Sequence, residues 1–261
     1  MVALGGSITC GSITHNVPSY IEQVFQWINA TFPHADNTFI NSCKGGAGST
    51  EAGLCFDAKV PRNADLITME FTLNDAYHHE ADMSAFLQYY RIPELSMRRA
   101  LYRDTMEGTV GFRPEETVCD MMHPNDLGHR YYADVMVAFL EDHAWAAATG
   151  SPDGLLTGPR SPLPAPLIPN NYEHGQQCAI DEALVTLVQP SQGWEWVDEG
   201  KLGHHKRGWR SVTPGSKLIT KPMDTTSKVE PSNEPVLLIL GVLKSYEHMG
   251  QAVLACPFLR S

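Results

Sequence analysis

Up to Thr149, apolar runs of strand length alternate with stretches of helical period, and this alternation leaves few architectures open. Val2 to Gly5, Thr38 to Asn41 and Asp65 to Phe71 are short apolar-rich runs, and Val17 to Asn29 between the first two carries apolar residues at helical spacing. Strand, helix, strand in this order predicts βαβ units around a parallel sheet. A closing helix is expected from Asp126 to about Ala148, with Leu127, Tyr131, Val135 and Leu140 on its core-facing stripe. These segments define an expected first domain, residues 1–149.

Six of the 18 prolines fall between Gly150 and Asn170, in a stretch with no helical or alternating pattern, which reads as an extended linker at 150–170. Beyond it come short β-prone runs: Leu184 to Val188, Trp194 to Val197, Lys217 to Thr220, Pro235 to Leu243 and Gln251 to Ala255. Separated by Gly, Pro, Ser and Asp, they predict a small all-β, sandwich-like domain over 171–261.

Charge narrows the choice of partner. Lys and Arg total 19 against 30 Asp and Glu, a formal net charge of -11, so phosphate backbones and anionic membrane surfaces are disfavoured and no nucleic acid partner is expected. The longest apolar stretch, near Val236 to Leu243, falls far short of the roughly 20 residues a membrane-spanning helix needs. Met1 leads straight into a glycine-serine turn, so no signal peptide is expected in this chain. The six cysteines (Cys10, Cys43, Cys55, Cys119, Cys178, Cys256) show neither CxxC pairs nor metal-ligand spacing and leave the compartment open. The sequon Asn29-Ala30-Thr31 points towards the secretory route.

In an open parallel sheet, ligands bind beyond the carboxyl ends of the strands, so the residues following each apolar run are the first candidates for chemistry. Four such places stand out. Gly5-Gly6-Ser7 turns sharply and exposes a hydroxyl at a helix entry, as a nucleophile or as a helix cap. Asn41 opens a glycine loop, Gly45-Gly46-Ala47-Gly48, whose N–H groups can converge on an anion or form a flexible loop. Asn74, in Thr72-Leu73-Asn74-Asp75, offers an amide to a developing oxyanion, or an Asx turn. In Asp120-Met121-Met122-His123-Pro124-Asn125, a carboxylate three residues before an imidazole can hold one ring nitrogen while the other faces outward as a base; the alternative is an incidental surface pair.

Taken in order, these four places resemble the SGNH, or GDSL-type, hydrolases over roughly Met1 to Ala148, most specifically at Asp120 to Asn125. The resemblance implies a flavodoxin-like three-layer α/β/α domain and an esterase without cofactor or metal. Ser7 would be the nucleophile, with Asp120 and His123 completing a triad. Ser7 N–H, the N–H of Gly46 with Gly48 as its rival, and the Asn74 side chain would form the oxyanion hole. Three features depart from the family. Gly6 stands where most members have Asp, and Thr72 where most have Gly. Only 45 residues separate Asn74 from Asp120, so one strand-helix unit is expected to be missing. That interval reads as a helix at Asp82 to Tyr90, a short strand at Ile92 to Met97 and irregular sequence.

The implied function is hydrolysis of carboxylic esters, including O-acyl groups on glycans, through an acyl-enzyme. The alternative is an inactive glycan-binding or interaction protein on the same fold. Trp194 and Trp196 share one face of their run, with Trp209 nearby, as a sugar-stacking platform or as core. The pairs His78-His79 and His204-His205 lack a third ligand at metal spacing, so no metal site is expected.

Overall fold

The computed structural model describes residues 1–75, 80–120, 122–150, 164–165, 167, 178–200, 205–223, 238–242 and 250–255. In chain order its elements are β1 Val2–Gly5, α1 Ser7–Cys10, α2 Tyr20–Thr31, β2 Ile40–Asn41, α3 Ser49–Leu54, α4 Phe56–Lys59 and β3 Ile67–Glu70. They continue with α5 Glu80–Tyr89, α6 Met97–Glu107, α7 Pro114–Thr117, α8 Asp126–Thr149, α9 Glu182–Leu187, β4 Glu195–Asp198 and β5 Arg207–Arg210. By internal contacts, Met1–Asp224 forms one compact unit and Thr225–Ser261 another.

The first unit is mixed α/β. Its parallel sheet has the order β2-β1-β3, with Val2 opposite Ile40 on one side and Ile67 on the other. β1 is the central strand and is buried along its whole length, which explains its unbroken apolar run. Successive side chains point to opposite faces. Ala3 packs with Ile8, Tyr20, Ile21, Val24 and Ala133 under α2 and α8, whereas Val2 and Leu4 pack with Ala52, Val60 and Phe71 on the other face. α2 starts at a capping box, in which Ser19 accepts from Glu22 N–H and Glu22 accepts from Ser19 N–H at 2.8 Å.

Three expectations change within this unit. The core stripe of α8 is Ala133 with Tyr132, Met136, Val137 and Leu140, leaving only Leu140 from the sequence reading. Tyr131 turns instead to the preceding loop, stacking on Phe112 with ring centroids 5.0 Å apart and donating to Gly111 O at 3.0 Å. Ile92 to Met97 is not a strand: it is irregular up to Ser96, whose hydroxyl accepts from Arg99 N–H and starts α6. Leu184 to Val188 lies largely in α9 rather than in a strand, although Val188 makes an isolated bridge to Thr220.

β4 and β5 form an antiparallel hairpin that places Trp196 directly opposite Trp209, ring centroids 5.6 Å apart. Among the described residues this hairpin and the isolated bridges Val188–Thr220 and Gln192–Lys217 are the only pairing after the linker. In the second unit the described residues 238–242 and 250–255 are exposed and irregular, not strands. Their β-prone composition lacks the paired, half-buried surface on which that propensity depends. The rest of the Pro235 to Leu243 run lies outside the described residues.

Disulfides join Cys10 to Cys43 and Cys55 to Cys178, and Cys119 is free and exposed. The first joins the end of α1 to the glycine loop. The second ties the segment after the linker to the end of α3. Among the described residues no helix is long and apolar enough to cross a membrane.

Candidate active site

β1 and β3 lie side by side, so the loops leaving their carboxyl ends meet. Ser7 is the first residue of α1, one residue beyond the turn at Gly6. Gly6 is required by close approach: a Cβ there would lie 2.0 Å from Asn74 Nδ2. The glycine found where the resembled family has Asp thus lets the Asn74 amide lie against the peptide that carries Ser7. Asn74 Nδ2 donates one hydrogen to Ala47 O at 2.9 Å, leaving its second hydrogen available.

Ser7 Oγ lies 2.7 Å from His123 Nε2, and His123 Nδ1 lies 2.8 Å from Asp120 Oδ2. The three residues predicted to act together therefore form one hydrogen-bonded chain across 116 positions of sequence. Asp120 Oδ1 also accepts from the N–H of His123 at 2.8 Å and of Met122 at 3.1 Å. The hydrogen bonds from the His123 backbone and ring hold the Asp120 carboxyl down to about 2, so it is ionised throughout the neutral range.

The loop bearing His123 is fixed at both ends. Cys119 N–H donates to His123 O at 2.9 Å, and Asn125 N–H donates to Thr117 O at 2.9 Å. Asn125 Oδ1 then caps α8, accepting from Leu127 and Gly128 N–H. One turn further on, His129 is buried and its Nδ1 accepts Tyr20 N–H at 3.0 Å, the first N–H of α2. Burial pushes its pKa down to about 4, so this second histidine of the motif is a neutral structural acceptor.

Asn41 holds the root of the glycine loop: its Nδ2 donates to Thr9 O at 3.3 Å and its Oδ1 accepts from Cys43 N–H at 3.2 Å. Gly46 has φ +81°, a backbone conformation that favours glycine, and open space at its Cβ position. Among the described residues, the N–H groups of Ser7, Gly46 and Gly48 have no hydrogen-bond acceptor. Gly48 lies against the Asp75 carboxylate, which accepts Ser49 N–H at 2.8 Å. Lys206, in the loop between β4 and β5, reaches over Gly45.

The sequence reading passed over Glu70, the last residue of β3, which lies beside Gly5 in the sheet. Its signal was an acid in a run, Leu66 to Phe71, that is apolar apart from Thr68. Of the two paired histidines considered for metal, His78-His79 and His204 lie outside the described residues. His205 is bonded to Asp198.

The fold is a mixed α/β unit with a parallel sheet, and solved structures share it. Two crystal structures of a two-domain esterase active on acetylated mannans, one co-crystallised with mannopentaose, match the chain at TM-score 0.58 and 24% identity. Each alignment covers 84% of this chain and 66% of the esterase. No family model matches the chain, and no curated protein matches it.

Proposed function

We propose that the protein is a serine esterase of the SGNH type acting on O-acylated glycans. The observation that carries this reading is the chain from Ser7 through His123 to Asp120, with contacts of 2.7 and 2.8 Å. A carboxylate on Nδ1 fixes the tautomer that leaves Nε2 as the base facing the hydroxyl. Ser7 Oγ attacks the ester carbonyl as His123 takes its proton, and the carbonyl oxygen becomes an oxyanion. Ser7 N–H, Gly46 N–H and the free Asn74 hydrogen are the donors assigned to it, each worth about 3 kcal/mol by analogy with other oxyanion holes. Protonated His123 then delivers its proton to the leaving alcohol. A water, deprotonated in turn by His123, releases the acid and regenerates Ser7.

Likeness to an esterase active on acetylated mannans supports an acetylated glycan as the substrate class. The proposed division of labour puts this chemistry in 1–149 and an accessory role in 171–261, beyond the linker at 150–170. Two disulfides and an exposed Asn29 sequon support an oxidising, secretory compartment.

The test is intact-mass labelling of the folded chain with a fluorophosphonate, together with acetate release from acetylated manno-oligosaccharides. The expected result is a single adduct on Ser7 and acetate release, both lost in Ser7→Ala and His123→Ala. A folded chain that neither labels nor releases acetate overturns the reading and leaves the inactive glycan-binding alternative.

A further inference from the structure

One of the two disulfides joins the two segments assigned to the oxyanion. Cys10 ends α1, the helix that starts at Ser7, and Cys43 lies in the loop after β2, three residues before Gly46. Their Cα atoms are 5.4 Å apart. A covalent bridge therefore runs from the element that presents Ser7 Oγ and Ser7 N–H to the loop that presents Gly46 N–H.

The two ends of this bridge are held differently. Cys43 is flanked by hydrogen bonds that continue the pairing of β2 with β1: Ser42 N–H donates to Ala3 O and Lys44 N–H to Gly5 O, each at 2.9 Å. Further along, Ala47 N–H closes a turn on Lys44 O at 3.0 Å, and Asn74 Nδ2 donates to Ala47 O at 2.9 Å. The glycine loop is thus an extension of the sheet. By contrast, α1 has four residues, too few for a helix to persist on its own backbone bonds. Ile8, Thr9 and Cys10 are buried, so packing holds the inner face of that turn. Its hydrogen bond to the β2 side is Asn41 Nδ2 to Thr9 O, long at 3.3 Å. The disulfide adds a fixed point three residues from Ser7, and α1 is the partner that gives if the bridge is opened.

Resting on the serine-esterase reading of Ser7, we propose that Cys10 and Cys43 are positioning residues for the reaction. Their disulfide moors α1 to the glycine loop and so sets Ser7 Oγ and Ser7 N–H against Gly46 N–H, the arrangement in which one oxyanion meets both donors. The bridge itself makes and breaks no bond in the cycle. A misplacement of about 1 Å in such a constellation costs on the order of 100-fold in rate, and packing of Ile8 and Thr9 retains part of that.

The test is the double variant Cys10→Ala with Cys43→Ala, assayed on a small acetyl ester beside Cys55→Ala with Cys178→Ala as the control pair. In the first pair kcat is expected to fall at least about 10-fold with KM within about twofold, because the oxyanion is present only as charge develops. A trifluoromethyl ketone reads the same geometry: Ser7 Oγ bonds to its carbonyl carbon, His123 takes the proton and the carbonyl oxygen becomes an oxyanion. Its affinity is expected to fall by the same factor as kcat. General loosening of the fold has no reason to weaken the adduct while sparing KM. The control pair is expected to keep kcat within about twofold. An unchanged kcat in the first pair, or equal losses in both pairs, overturns the proposal and leaves the esterase reading standing.

Should the double variant not fold, the unsubstituted chain decides in a thiol–disulfide buffer, with alkylation of each cysteine counted by mass spectrometry. The expected kcat falls with the fraction of Cys10 and Cys43 reduced and returns on reoxidation. A rate that follows Cys55 and Cys178 instead, or neither pair, overturns the mooring. If the unsubstituted chain neither labels with a fluorophosphonate nor turns over ester, the esterase reading falls by itself. Residual dipolar couplings then compare the Ser7 and Gly46 N–H vectors with the bridge closed and open: a changed angle supports the mooring, and an unchanged one overturns it.

Discussion

Among the described residues, two histidine–aspartate pairs are hydrogen-bonded through Nδ1 with nearly the same geometry and different surroundings. His123 Nδ1 lies 2.8 Å from Asp120, and His205 Nδ1 lies 2.5 Å from Asp198. In both, backbone N–H groups bond the carboxylate and lower its proton affinity: from His123 and Met122 at Asp120, and from Lys206 and Gly200 at Asp198. The difference lies on the far nitrogen. His123 Nε2 meets Ser7 Oγ, whereas among the described residues no hydroxyl or thiol is hydrogen-bonded to the other nitrogen of His205. Asp198 also receives Arg207 Nε at 3.3 Å, which ties it into the hairpin. A His–Asp pair is thus a generic way to fix an imidazole, and what the ring is aimed at decides whether it can do chemistry.

The sharpest way to break this contrast is to remove each ring in turn. Ser7→Ala and His123→Ala are expected to lower kcat on an acetylated oligosaccharide by at least about 10⁴-fold, the scale on which triad members act as a unit. His205→Ala is expected to leave kcat within about twofold, as for a structural residue distant from the reacting atoms. Steady-state rates of the three variants, with circular dichroism as the control for folding, check the expectation. A comparable loss in His205→Ala would erase the distinction.

Asp120→Asn tests how the first pair works. Its expected loss in kcat is about 10³–10⁴-fold, since an amide can hold the imidazole in the wrong tautomer. The sign of the pH effect follows from the lowered carboxyl. A carboxyl held down to about 2 in the folded chain is already ionised above that pH, so its stabilising effect is lost only as pH falls through that region. The acid limb of kcat/KM in the unsubstituted chain is therefore expected to belong to groups other than Asp120. It is read from a pH–rate profile taken beside a pH–stability profile: loss of the native fold should lie at lower pH than loss of rate.

Asn74→Ala comes next in size. Removing a donor aimed at the oxyanion is expected to cost about 10²–10³-fold in kcat with KM nearly unchanged, because that bond strengthens only as charge develops. The split between kcat and KM is the measurement. Equal losses in both would reassign Asn74 to the ground state, holding Ala47 O and the glycine loop in place.

Much of this site was legible because its residues follow strands. Val2 to Gly5 declares itself as an apolar run ended by glycines, and the Asp120 to Asn125 spacing is local, so chemistry and position could be read together. What escaped the sequence reading depended on contacts between distant segments. The α8 stripe was misplaced because Tyr131 looks like a core residue until Phe112 is seen to claim it. Leu184 to Val188 is β-prone by composition, yet among the described residues it pairs only at the Val188–Thr220 bridge, and its first four residues lie in α9. The cysteines looked scattered because Cys10 and Cys43, 33 positions apart, meet only once α1 and the loop after β2 leave the same edge of the sheet.

The smallest effect expected concerns the second pair and shows what it is for. Asp198 joins the strand end to the turn of the hairpin through His205, Lys206 N–H and Gly200 N–H, two residues from the Trp196–Trp209 contact. Its carboxyl lies below the usual carboxylate range, held there first by the backbone hydrogen bonds from Lys206 and Gly200. The stabilisation it gives is therefore present above the unfolded carboxyl's pKa, about 3.9, and lost as pH falls below it. Asp198→Asn is expected to weaken the near-ultraviolet circular dichroism of the tryptophan pair at neutral pH while leaving kcat within about twofold, the tolerance usual for a surface change. In the unsubstituted chain the same signal is expected to persist until well below pH 4, the point at which an ordinary Asp gains its proton. A signal unchanged in Asp198→Asn would mean that cross-strand packing of Trp196 on Trp209 holds the hairpin without the charged turn, and the second pair would then be a surface ornament rather than a clamp.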